Sequence, residues 1–279
     1  MTSLVNSFKI VGLSIILFII SVLAQNLGIL WHIFSLYSLE YLLHGLTYLI
    51  VTIGLVNLLV KKGLKNKLPY YRITTFKICP LCLILGLLLP IIVITVYFVF
   101  ISGDIIVTQF ASKKEYIEML ISLIFITGIV APIVEEITFR GILLKYIEDK
   151  SNSIFAIILT SVLFSFVHLF NGKLVGIDFY LLIIAGTIAG IMYGIACYMY
   201  QSIWASILLH MFWNIGGIFV ITNSKEDYGI LQYLINSSNV FITGGDYGID
   251  ASIISILSYM LVIIILLFRK RHLRNSNIK

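Results

Sequence analysis

The sequence predicts an all-α fold, a polytopic bundle of about eight transmembrane helices with both termini on the cytoplasmic side. Three observations predict it. Of 279 residues, 60% are hydrophobic and only 11% charged, with a mean hydropathy of +1.06, whereas soluble domains carry about a quarter charged residues. Apolar runs long enough to cross about 30 Å of hydrocarbon recur along the whole chain. Lys and Arg gather beside one set of run ends, as cytoplasmic loops require. Helices satisfy every backbone N–H and C=O within the segment, and no succession of short alternating strands suggests a barrel.

The runs cover approximately residues 10–30, 39–60, 79–101, 119–147, 153–171, 179–200, 202–222 and 252–268. The first resembles a secretory signal, with Val22-Leu23-Ala24 as a weak cleavage site, but its apolar run is longer than a usual signal core, so it is read as a retained helix. The third opens at Cys79-Pro80-Leu81-Cys82, a C-x-x-C without βαβ context, and three cysteines make no disulfide framework; the pattern is read as coincidence. The sixth carries Gly186, Gly190 and Gly194, a small-residue ridge that lets neighbouring backbones approach. The least apolar stretch, 223–251, is read as one external loop. No repeat, low-complexity tract or linker divides the chain, which is read as a single membrane domain over 1–279.

Orientation follows from the cations. With the N-terminus inside, fourteen of nineteen Lys and Arg are cytoplasmic: Lys9, six in the 61–77 loop, Lys145, Lys150 and five in the tail. Lys113, Lys114, Lys173 and Lys225 fall outside, and Arg140 lies within a helix. The net charge of +6 is therefore a topology signal, and its partner is the lipid bilayer; no nucleic-acid partner is expected, because no basic stripe forms.

Polar residues inside the spans carry the chemistry. A charge at a helix centre costs about 3 kcal/mol to insert, so Glu135, Glu136 and Arg140 load the fourth helix with roughly 9 kcal/mol before pairing. Glu136 and Arg140 are four apart and can pair on one face, whereas Glu135 lies about 100° round the helix, free to face a cavity. Pro132 just before them removes the hydrogen bond to the Gly128 carbonyl and predicts a kink or opening that admits water. Phe164 and His168 share a face of the fifth helix, and His210 and Asn214 one of the seventh. Counted from the turns near Asn152 and Gln201 at about 1.5 Å per residue, Glu135, His168, His210 and Asn214 fall within about two helical turns of one level. His32, His44 and Glu40 lack a paired motif, His272 belongs to the tail, and none is assigned a role.

Glu135-Glu136-Ile137-Thr138-Phe139-Arg140 reads E-E-x-x-x-R, Phe164 with His168 reads F-x-x-x-H, and His210 with Asn214 reads H-x-x-x-N. In this order on successive helices, over roughly 117–222, they resemble the CAAX protease and bacteriocin-processing family of intramembrane endopeptidases, also called Abi. The resemblance implies peptide-bond hydrolysis in a membrane-associated peptide or protein, with Glu135 as general base and His168 helping to hold and polarise the water. It also implies oxyanion donors at His210 and Asn214 and support from Glu136, Arg140 and Phe164. No cofactor is favoured. Members have been described as metalloproteases, and Glu135, His168 and His210 could supply three zinc ligands, but H-E-x-x-H is absent and a zinc site leaves Asn214 without a role.

Two further readings compete: a proton-coupled transporter using the same buried groups, against which no internal repeat is seen, and a non-catalytic immunity or regulatory membrane protein, which needs no intact motif set. The substrate stays open among prenylated C-termini, bacteriocin leaders and peptide pheromones. The Ile-, Lys- and Asn-rich composition is a weak pointer to a bacterial cell membrane and to secreted-peptide processing.

Overall fold

Each predicted run contains a helix in the computed structural model, which describes residues 2–171 and 175–276. Lys173 and Lys279 lie outside the described residues, as do the side chains of Lys270, His272 and Arg274. The helices are α1 (Thr2–Ile29), α2 (Leu39–Leu58), α3 (Pro80–Phe100), α4 (Lys113–Glu148), α5 (Ser153–Val167), α6 (Ile177–Tyr200), α7 (Ile203–Ile215) and α8 (Ile253–Ser276). Among the described residues six helical stretches are long and apolar enough to cross a membrane, and two shorter apolar ones run over Ile203–Ile218 and Ile253–Arg269. Outward faces carry exposed Ile15, Ile19, Ile50, Phe98, Ile158 and Leu261, a surface that lipid covers at no cost and water does not. This is a multi-pass membrane protein.

The turns lie where the polar punctuation puts them. Asn152 caps α5, its side-chain oxygen accepting from Phe155 N–H at 2.9 Å, and Ser202 accepts from Trp204 N–H at 3.3 Å at the start of α7; each supplies an acceptor to an N–H without a helical partner. Between α5 and α6 the glycine ridge brings backbones together. A Cβ at Gly190 would stand 2.8 Å from the Ser161 Cβ, and one at Gly186 would stand 2.7 Å from the Ser165 Oγ. At the end of the bundle that holds the 61–77 loop, buried Arg72 ties that loop in through Glu148 at 2.6 Å and Gln201 at 3.0 Å.

The end opposite the Arg72 clasp differs from the sequence reading in two respects. The seventh run does not continue as helix to residue 222: α7 gives way to a 3-10 turn at Gly216–Ile218, then to strand β2 (Phe219–Thr222), because Gly216-Gly217 holds the helix only weakly. With β1 (Gly103–Val107) and β3 (Leu231–Ile235) it makes a small sheet of order β1-β3-β2, β3 antiparallel to β1 and parallel to β2. Tyr233 and Ile235 of the sheet pack on Val93 and Tyr97 of α3. The 223–251 segment is thus a folded cap holding β3, a helical turn at Val240–Thr243 and 3-10 turns, and it returns Asp250 to the bundle. The all-α class stands, since the sheet lies between the helices' ends and not within them.

Helix α4 leaves the α-helical register on either side of Pro132. Ser122–Val130 and Ile137–Leu143 are π-helical, flanking the segment Ala131–Glu136. In this wider register the N–H of Ala131 bonds the carbonyl of Ile126, so the carbonyl that would next accept from position 132 belongs to Thr127. Pro132 has no N–H, and the Thr127 carbonyl instead accepts from the Asn214 side-chain amide at 2.9 Å. The freed carbonyl is therefore that of Thr127 and not Gly128, the acceptor counted from α-helical spacing.

Candidate active site

Glu136 and Arg140 stand behind the site. Both side chains are fully buried, with Arg140 Nη1 3.2 Å from Glu136 Oε1. Arg140 Nη2 donates to the Gly190 carbonyl at 3.3 Å, and the guanidinium lies 4.2 Å from the Phe164 ring centroid and 5.3 Å from that of Tyr193. A buried cation is tolerable only with such compensation. The close approach at Gly190 has a second use, since it exposes a backbone acceptor to Arg140.

Glu136 in turn orients His210. Its Oε1 lies 3.0 Å from His210 Nδ1, and Tyr193 stacks on the imidazole with centroids 4.6 Å apart and planes 15° from parallel. The other ring nitrogen, Nε2, lies 3.7 Å from Glu135 Oε2. Phe164 fills the space between the histidines, 4.6 Å from the His168 ring and 5.8 Å from that of His210. His168 is fixed by the carbonyl of Phe164, 2.8 Å from its Nδ1. With Nδ1–H donating there, Nε2 of the neutral ring is left as an acceptor.

Glu135, Phe164, His168, His210 and Asn214 all line one cavity of about 780 Å³, whereas Glu136 and Arg140 do not. A volume of this size suits a ligand or peptide segment of several residues. Glu135 retains 28% side-chain exposure and Glu136 none, the division that helical phase predicts. Asn214 spends one amide hydrogen on Thr127 and keeps a second.

Residues 117–216 match the family model of Rce1-like, type II CAAX prenyl endopeptidases. The matched stretch contains E-E-x-x-x-R, F-x-x-x-H and H-x-x-x-N, so the resemblance drawn from those motifs holds for this Rce1-like segment. At family level it supports an intramembrane endopeptidase. No curated protein matches the chain. The Rce1-like segment contributes α5, α6, α7 and most of α4 to the bundle, and with them Glu135, Phe164, His168, His210 and Asn214 of the cavity wall.

Among the described residues no group of three or more His, Cys, Asp and Glu is arranged to hold a metal ion. His210 directs Nδ1 to Glu136, and His168 directs Nδ1 to its own helix.

The sequence reading did not single out Asp250, which lines the same cavity from the 3-10 turn Ile249–Ala251. The residue keeps exposed surface, although its carboxyl is packed about by protein, and it also lines a smaller neighbouring cavity with Trp213, Tyr228 and Tyr247. Burial pushes the carboxyl up to about 6, opposed by the charge of His210 and by a hydrogen bond from the Trp213 indole. No periodic motif marks an Asp in a loop, and only its position three residues before α8 could have drawn notice. His32 also has partners unforeseen in the sequence, Glu40 at 3.2 Å and His44 at 3.1 Å, but these three do not line the cavity.

Proposed function

We propose that this chain is a metal-free intramembrane endopeptidase that hydrolyses a peptide bond of a membrane-associated peptide or protein. Glu135 is the general base: it takes a proton from a water held with the help of the His168 Nε2 acceptor, and the water oxygen attacks the scissile carbonyl. The oxyanion receives hydrogen bonds from His210 Nε2–H and from the second Asn214 amide hydrogen. Because Nδ1–H is committed to Glu136, donation from Nε2 requires the doubly protonated ring, and Glu136 and Glu135 balance its charge. Glu135 then passes its proton to the leaving amine. Breaking the C–N bond thus consumes one water and returns the base unchanged.

The observation that carries this reading is the common cavity, with Glu135, His168, His210 and Asn214 on its wall and the Glu136–Arg140 pair sealed behind. The test uses protein purified in detergent and incubated with membrane-associated peptides. Native protein cleaves; Glu135→Gln falls by at least about a hundredfold, and His168→Ala and His210→Ala by about 10²–10⁴. Cleavage by Glu135→Gln at the native rate would sink the mechanism. Loss of activity in chelator with recovery on adding zinc, in protein that stays folded, would overturn the metal-free assignment.

A further inference from the structure

We propose that Asp250 makes the cavity selective for substrates with a cationic group, a Lys or Arg side chain or a free amino terminus, beside the scissile bond. The inference rests on the endopeptidase reading for what is cut, and on the cavity alone for what is held. Among the described residues lining the cavity, Glu135 and Asp250 are the acidic ones and none is Lys or Arg; the His210 ring, cationic in the proposed chemistry, is already offset by Glu135 and Glu136. A substrate presenting a free C-terminal carboxylate near Asp250 would meet a carboxylate with no Lys or Arg to offset it. A cation meets the reverse.

The walls around Asp250 suit a cation in a second way. Tyr193, Trp213, Tyr228 and Tyr247 line the same cavity, and aromatic faces attract ammonium and guanidinium groups most where water is excluded. Asp250 is held in place, since the Trp213 indole donates to its carboxylate and the Tyr259 hydroxyl donates to its main-chain carbonyl at 3.3 Å. Asp250 shares the cavity wall with Glu135 and His210, whose Nε2 is 3.7 Å from Glu135, so a cation at Asp250 lies in the same cavity as the proposed reacting groups. Nothing in the proposed chemistry uses Asp250: Glu136 occupies His210 Nδ1, and Glu135 faces Nε2. A carboxylate on the cavity wall that serves neither catalysis nor an internal salt bridge is positioned for a ligand charge.

The test uses the full chain in detergent and a cleaved fluorescent peptide in three forms: with Lys beside the scissile bond, with Gln in its place, and with the amino terminus acetylated. Binding and cleavage are measured separately for native protein, Asp250→Asn and Asp250→Glu. Asn retains an acceptor for Trp213 and loses the charge; Glu retains the charge. Removing the cation, from whichever of the two sources supplies it, should weaken native binding and raise KM by about tenfold with kcat within about twofold, as loss of a charge-assisted hydrogen bond predicts. In Asp250→Asn the charged and neutral peptides should bind within about twofold of each other, and Asp250→Glu should restore the preference. The Lys and acetyl arms identify the source of the cation. Equal treatment of all peptides by native protein overturns the proposal. So does a preference that survives in Asp250→Asn, or an equal loss for every peptide, which marks a structural role. Charge-dependent binding without any cleavage would leave the Asp250 subsite standing and refute the endopeptidase reading; cleavage without charge preference would do the opposite.

Discussion

Two adjacent glutamates divide into different kinds of residue because successive helical positions point in different directions. Glu136 has no exposed side-chain surface and shares Oε1 between Arg140 and His210. Arg140, equally buried, has its remaining faces against Phe164, Tyr193 and the Gly190 carbonyl. Removing the charge of Glu136 leaves a guanidinium in the core without its counter-ion, a change that costs about 3–5 kcal/mol when one partner of a buried pair is lost. Glu136→Gln should therefore lower the unfolding temperature in detergent markedly, although the amide oxygen can still accept from His210. Glu135→Gln sits at a partly exposed cavity wall and should change stability by less than about 1 kcal/mol while removing activity. Thermal unfolding of the two variants side by side checks this, and equal shifts would contradict the division of roles. The pairing of Glu136 with Arg140 was legible as a spacing of four. The bond from Glu136 to His210 was not, because it joins α4 to α7, and no local rule gives the rotation of one helix against another.

At the scale of the element, α4 is shaped by one missing N–H. The π-helical stretch Ser122–Val130 runs up to Pro132, and Asn214 supplies the donor that Pro132 cannot give to Thr127. Asn214→Ala should then cost about 1–2 kcal/mol through an unsatisfied backbone acceptor. Pro132→Ala returns an N–H at the position that the π register directs toward Thr127, so Asn214→Ala should cost less in that background. A double-mutant cycle on unfolding free energies should give a coupling of about 0.5–1.5 kcal/mol, and strict additivity would show that the two residues do not share the carbonyl. A disturbance of the helix near Pro132 could be read from the sequence. Its register could not, since the choice between i+4 and i+5 bonding is made by packing against α7. The same limit applies to α7 itself, where the apolar run continues through residue 222. Gly216-Gly217 was the available signal that helix gives way to the strand Phe219–Thr222.

For the whole molecule, the legible part was the part that lipid dictates: where apolar runs lie, that they are helices, and which polar residues interrupt them. The cap built from β1, β2 and β3 was not legible, because short strands separated in sequence pair through backbone groups that leave no periodic trace. Asp250 was missed for the same reason, being delivered to the cavity by that cap. The cap also makes orientation consequential, since its side of the membrane decides on which face the Asp250 loop meets substrate. Fourteen cations beside one set of helix ends predict the 61–77 loop in the cytoplasm and the cap outside. Lys62 and Lys225 are exposed on these two segments, and the three native cysteines are free and buried, so single cysteines introduced at those lysines can report sidedness over a low background. A membrane-impermeant maleimide applied to intact cells should label Lys225→Cys and spare Lys62→Cys, with both labelled after permeabilisation. The opposite pattern would invert the topology and move the Asp250 loop to the cytoplasmic face. A substrate approaching from outside with a positive charge beside the bond to be cut would then have no route to the carboxylate proposed to receive it.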